Sequence, residues 1–148
     1  MPLPDSGEID NALLDVLNAD AELRALAPDG VYFGAAQQGK EQFVLVSLVE
    51  HLTLAQMAAP TARRAAEAVQ YIVKAVLLNG ADGDARKAGA RIDALLEDQT
   101  IPIDGYTCLS IVRTDRIRDS EPDAVEPSTV WKHRGGYYRI TAAPGGTP

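Results

Sequence analysis

Four groups of residues have the types and spacing that chemistry would need. The stretch STVWKHRGGYYRITAA, residues 128–143, holds the only Trp, one of the two His and an adjacent glycine pair. His133 could act as a base toward Cys108, the single cysteine, if the last two strands are antiparallel neighbours. Such catalysis needs that proximity and a third, orienting group. The plainer alternative is a small buried cysteine and a histidine on a strand surface. NGADGDARKAG, residues 79–89, has the glycines and aspartates of a calcium or phosphate loop. Asp82 and Asp84 alternate, but the full acidic set and the distant Glu of a calcium loop do not follow. A phosphate loop needs Gly-Lys-Ser/Thr after its glycines, and GDARK does not supply it. A turn followed by a helix cap accounts for the segment. Asp119, Glu121, Asp123 and Glu126 are interleaved with Pro122 and Pro127, which fits a solvated acidic turn better than a cation site. Two His and one Cys cannot make a four-ligand zinc site. These residues predict no catalytic group, no cofactor and no metal.

The elements that must position them follow from periodicity. Asp5 or Ser6 is the expected N-cap of a first helix, in which Ile9, Leu13, Val16 and Leu17 make one apolar stripe. Asp20 can cap a second short helical turn that places Leu23 and Leu26 inward. The Pro-Asp-Gly at 28–30 is a turn before a brief strand at 31–33. Residues 42–50, QFVLVSLVE, are apolar on both faces and predict a central strand covered on both sides. Residues 51–66, interrupted by Pro60, read as a long variable loop. In 68–78, Val69, Tyr71, Val73, Ala75 and Leu77 alternate with Gln70 and Lys74, as in a half-buried strand. Asp82 or Asp84 should cap the next helix, whose inner face is Ala85, Ala88, Ile92, Leu95 and Leu96, with small Gly89 allowing close approach to a sheet. Residues 106–118 and the opening stretch supply the last two strands, joined by an acidic turn.

Gly135 and Gly136 admit two explanations. A two-residue hairpin turn would split the last segment. A bulge in one long strand would shift the alternation so that Trp131, Tyr138 and Ile140 share the buried face. The long strand at 106–118 favours the bulged strand.

The order is thus helix, strand, strand, strand, helix, strand, strand. It predicts a single α+β domain over 1–148, with a core at about 6–142 and a flexible tail at 143–148. The sheet is mainly antiparallel, with about four to five strands flanked by two main helices. At 46% apolar residues, a chain of this length can bury a core without staples. The net charge of −7 argues against a nucleic-acid binder or an anionic-membrane binder, although a local basic patch is compatible with it. The start, MPLPDSGEID, has no basic region followed by an apolar one, so no signal peptide is expected. A lone cysteine suits a reducing compartment.

Assembled in this order, the blocks resemble the tail completion, or tail terminator, proteins of long-tailed phages and gene transfer agents. The resemblance runs from IDNALLDVLNADAELRALAPDGVYFGAAQQG through FVLVSLVEH, YIVKAV and ARIDALLEDQTIPIDGYTCLSIVRTDRIRDSE to VWKHRGGYYRI. It implies a structural, non-enzymatic virion protein, made in the host cytoplasm and placed in the tail or neck. It implies a ring, typically of six copies, that ends tube polymerisation and meets a head–tail connector or neck protein. Its partners would be itself, the tail tube protein and the neck; DNA would pass through without specific binding, and no membrane is involved. Arg113, Arg116, Arg118, Trp131, Arg134 and Arg139 are the candidate subunit or tube interface. The alternatives are another neck or head-closure component, or a small Cys hydrolase or ligand-binding α+β domain.

Overall fold

The computed structural model describes residues 4–56, 63–79 and 82–145. Helix α1, Gly7–Ala19, is followed by α2, Ala21–Leu26, and by the short strand β1, Val31–Phe33. Two long strands come next, β2 (Gln42–Gln56) and β3 (Arg63–Leu78), then α3, Asp82–Leu96. The chain ends in β4, Tyr106–Pro122, and β5, Val130–Pro144. The five strands make one sheet in the order β1-β2-β3-β5-β4. Since β5 is antiparallel to both β3 and β4, those two run parallel, connected by α3, with β5 inserted between them. This is a split β-α-β unit.

The α1 stripe buries Ile9, Leu13 and Leu17 completely. Ser6 occupies the N-cap position without a side-chain cap, and the Asp5 carboxylate instead accepts from the Gly7 N–H at 3.0 Å. Asp20 does cap α2, accepting from Leu23 N–H at 2.8 Å, and also takes the Arg91 guanidinium of α3 at 2.6 Å. The inner face of α3 is Ala85, Ala88, Ile92 and Leu96, all fully buried. Asp82 begins that helix and Asp84 lies within its first turn, so neither precedes it as a cap. The helical layer packs on Val44, Val46, Val69, Tyr71, Val73, Ala75, Tyr138 and Ile140.

Several expectations need correction. The supposed loop at 51–66 is strand at both ends: 51–56 close β2 and 63–66 open β3, while 57–62 lie outside the described residues. A polar-apolar mixture interrupted by Pro60 hid two strands that pair with each other. The first strand pair, β1 with β2, is parallel. An eight-residue return suffices because β1 has three residues, and the Asp29 carboxylate holds the far end by accepting from Glu41 and Gln42 N–H at 3.0 and 2.9 Å. Beyond Val46 no strand among the described residues pairs with β2 on the β1 side, and Leu48, Val49, Leu52 and Leu54 are each nearly half exposed, so this part of the strand is not covered on both faces. The acidic segment is strand as far as Pro122, so the turn is shorter than expected. Residues 143–144 belong to β5, and 146–148 lie outside the described residues, as do 1–3 at the start.

The last segment is one strand, as favoured, but it is not bulged at the glycines. β5 pairs with β3 in unbroken register from Trp131 to Ala142, and the register shifts fall on β4, between Cys108 and Ser110 and between Arg113 and Asp115. The glycines answer to close packing instead. A Cβ on Gly135 would stand 2.0 Å from the Val73 carbonyl oxygen, and one on Gly136 would stand 2.7 Å from that of Asp115. Without a phase shift, Trp131 lies on the opposite face from Tyr138 and Ile140. There it packs edge-on against Phe43, at 6.2 Å between ring centroids.

Candidate assembly surfaces

The register of β4 against β5 sets the site residues. Arg118 lies directly across from Arg134, and Arg116 across from Gly136. Like charges opposite one another on a sheet are destabilising. Helix α3 crosses this row, with Gly89 close enough that a Cβ there would meet the Arg134 Cβ at 3.1 Å. It adds Arg86 and Asp93 on the same side. The result is a hollow of about 220 Å³ lined by Arg86, Gly89, Ala90, Asp93, Arg116, Ile117, Arg118, Arg134 and Gly135.

Asp93 is the one acid in the hollow, and it is already engaged. It accepts from Arg113 at 2.6 Å, from Arg116 at 3.5 Å and from the Tyr138 hydroxyl. Burial, then this bond to Asp93, push the Tyr138 hydroxyl well above the usual tyrosine range. Arg86, Arg118 and Arg134 have no ion pair or side-chain hydrogen bond among the described residues. Arg113 is an internal latch between β4 and α3, its backbone N–H also bonded to the Glu97 carboxylate. Arg139 is exposed on the other face of the sheet, in the row of Gln70 and Val112.

The second charged surface is the β4–β5 turn. The Asp123 carboxylate accepts from the N–H of Val125 at 3.2 Å, the N–H of Glu126 at 3.0 Å and the Trp131 indole at 2.8 Å. The indole bond, followed by the backbone donor of Glu126, holds the Asp123 carboxyl below its usual range. Thr129 closes the turn onto the Glu126 carbonyl through its N–H and hydroxyl, at 2.9 and 2.8 Å. The turn therefore presents Val125, 90% exposed, between acids.

Of the six residues expected at an interface, the fold brings Arg116, Arg118 and Arg134 together. It uses Arg113 and Trp131 for internal positioning and sets Arg139 apart. Sequence reasoning missed Arg86, although Arg86, Gly89, Ala90 and Asp93 recur at helical spacing on one side of α3.

The proposed catalytic pair does not form. Cys108 pairs with Ala142 and His133 with Asp119, nine residues apart along the regular strand β5, or about 30 Å at strand rise. His133 is buried, with Nε2 2.8 Å from Glu121. Among the described residues, no three His, Cys, Asp or Glu side chains converge as metal ligands, and no helix is long and apolar enough to cross a membrane.

The fold is a two-layer α+β body with long strands, a basic hollow and an acidic turn. The chain belongs to the family described as tail completion protein gp17, which matches residues 11–133. It is a structural protein of the bacteriophage-type tail, and its place is the virion. Among solved structures, one similar chain comes from "Virion of native gene transfer agent (GTA) particle", with TM-score 0.62 and 15% identity over 92% of this chain and 96% of that one. Another aligns at TM-score 0.56 and 12% identity over 97% of this chain and 98% of that one. At such identities the likeness is one of fold. No curated protein matches the chain.

Proposed function

We propose that the protein forms a homo-oligomeric ring of six copies at the head-proximal end of the tail tube. The ring ends tube polymerisation and joins the tail to the connector or neck of the head. The family match across residues 11–133 carries this role. The likeness in fold to a chain of a gene transfer agent particle supports it. The shape is compatible: β2 to β5 have 15 to 17 residues each, far beyond the usual five or six, and leave half-exposed Leu48, Val49, Leu52, Leu54, Leu109 and Val112 for neighbours to cover. Arg116, Arg118, Arg134 and Arg139 belong to the contact surfaces with other copies or with the tube, while Arg113 latches β4 to α3 and Trp131 holds the β4–β5 turn. The work is structural, with no reaction and no cofactor.

In a particle-forming system lacking this protein, tails become over-long or fail to join heads. Tails of normal length on full heads, seen by negative-stain microscopy, would remove the proposal.

A further inference from the structure

The geometry points to a specific contact between copies: the arginine-rimmed hollow beside α3 receives the acidic β4–β5 turn of a second copy, with Val125 on its floor. This rests on the ring function proposed above and names the surfaces that would make it.

The hollow lacks a partner of its own. Three of its arginines, Arg86, Arg118 and Arg134, are unpaired among the described residues, and its single acid is consumed by Arg113, Arg116 and Tyr138. Placing Arg118 directly across from Arg134 costs stability in the isolated chain, a cost that an incoming anion would reverse. The floor is small and mixed in polarity, with Gly89, Ala90 and Gly135 leaving room beneath the arginines. A pocket with an arginine rim and such a floor fits a short aliphatic side chain flanked by carboxylates.

The same chain presents that group. Val125 is 90% exposed, whereas the next most exposed large apolar side chain, Leu109, is at 54%. The turn around it is stiff, since Asp123 fixes two backbone N–H groups and the Trp131 indole. Preorganisation of this kind lowers the ordering cost of binding. Glu126 stands beside Val125, and the one bond to its carboxylate among the described residues, from the Ser128 hydroxyl at 3.0 Å, is exposed. The turn does not fill its own hollow: Arg118 and Arg134 lie four residues back from the strand ends, about 13 Å away, and no ion pair joins them to the turn. The two surfaces are distinct and complementary, so the contact is heterologous, the kind that closes into a ring. A second copy is favoured over duplex DNA because the net charge of −7 opposes a duplex, whereas the turn of a second copy supplies carboxylates together with the presented Val125.

Disulfide trapping tests the contact on the full chain with Cys108→Ser. Ala90 and Val125 are both exposed, so Ala90→Cys and Val125→Cys should leave the fold intact, as circular dichroism melting will verify. The chain carrying both cysteines should give a ladder of covalent multimers under mild oxidation. Chains carrying one each should give a single mixed dimer. A control pairing Arg24→Cys on α2 with Val125→Cys should give none. Arg118→Glu should cut trapping at least tenfold, and a partner chain bearing Glu126→Arg should restore it. Folded variants that trap no better than the control would overturn the docking. If the Val125→Asp chain then still ended tails normally, the ring function would survive that failure. Binding of duplex DNA by the wild type that is lost in Arg118→Glu, with no trapping, would overturn the second-copy occupant in favour of DNA.

Discussion

Gly135 shows how narrowly one residue can be constrained. Its ideal Cβ would lie 2.0 Å from a backbone oxygen of β3 and 2.5 Å from the Lys74 Cα, neither of which can move without parting the strands. Gly135→Ala should therefore destabilise the protein by about 2–4 kcal/mol, read as a fall in Tm. Gly89→Ala should cost much less. Its clash, at 3.1 Å, is with one side-chain atom, and alanine gains about 1 kcal/mol in helix propensity. Asp20 is a second residue whose effect can be computed by sign. The Arg91 hydrogen bond, the largest influence, and the Leu23 N–H hold its carboxyl below the usual value against some desolvation. A depressed carboxyl contributes stability above its unfolded pKa, and that stability is lost as pH falls through the folded value. Asp20→Asn keeps a capping oxygen but loses the charge. It should lower stability at pH 7 by about 1 kcal/mol, the pair being partly solvated, and the gap from wild type should close below about pH 4 in urea titrations.

Among the elements, α3 decides the most. Asp93 ties it to β5 through Tyr138 and to β4 through Arg113, and Glu97 takes the Arg113 N–H from the next turn. Asp93→Ala would leave the buried Tyr138 hydroxyl and a half-buried guanidinium unsatisfied, at about 2–3 kcal/mol in urea unfolding. Tyr138→Phe removes a donor from an acid that retains two arginines, and should cost about 1 kcal/mol or less. Burial first, and then a carboxylate, push the hydroxyls of both Tyr71 and Tyr138 above the usual tyrosine range. A raised pKa means the stabilisation is complete below the unfolded value of about 10 and is lost as pH rises beyond it. Melting temperatures should hold to about pH 10 and then drop, and Tyr138→Phe should blunt the drop. The bulges of β4 add one residue each, near Leu109 and Thr114, so its alternation shifts twice while β5 stays regular.

For the whole molecule, charge sets the behaviour. A net charge of −7 repels duplex DNA, and Arg86, Arg118 and Arg134 sit in one hollow, with Arg139 on the opposite face, rather than along a single track. The free protein should show no duplex binding by anisotropy at roughly physiological salt, where non-specific binders have Kd values of about 10⁻⁴–10⁻⁶ M. Micromolar affinity that collapses with added salt would instead make the hollow part of a DNA path.

Local patterns carried much of this architecture into view. The stripe Ile9, Leu13, Leu17, the alternation from Val69 to Leu77 and the small inner face of α3 each report one buried side of one element, because a helix or strand repeats its exposure every few residues. The Asp20 cap was legible for the same reason, as its partner lies three residues on. Partners distant in sequence were not. Periodicity cannot say that β2 is an edge beyond Val46, that 51–56 pair with 63–69, or that Gly135 is pressed against Val73, because those depend on which strand comes alongside. The arginines were visible singly, and only the register of β4 on β5, with α3 laid across it, put Arg118 opposite Arg134 and brought Arg86 beside them. It also carried Cys108 and His133 to opposite ends of the sheet. Sequence determined the buried side of the regular elements α1, β3 and α3, since their burial is written in local spacing; tertiary structure decided which surfaces meet, and with them the faces of Trp131 and of β2, since pairing is a property of strands far apart in the chain.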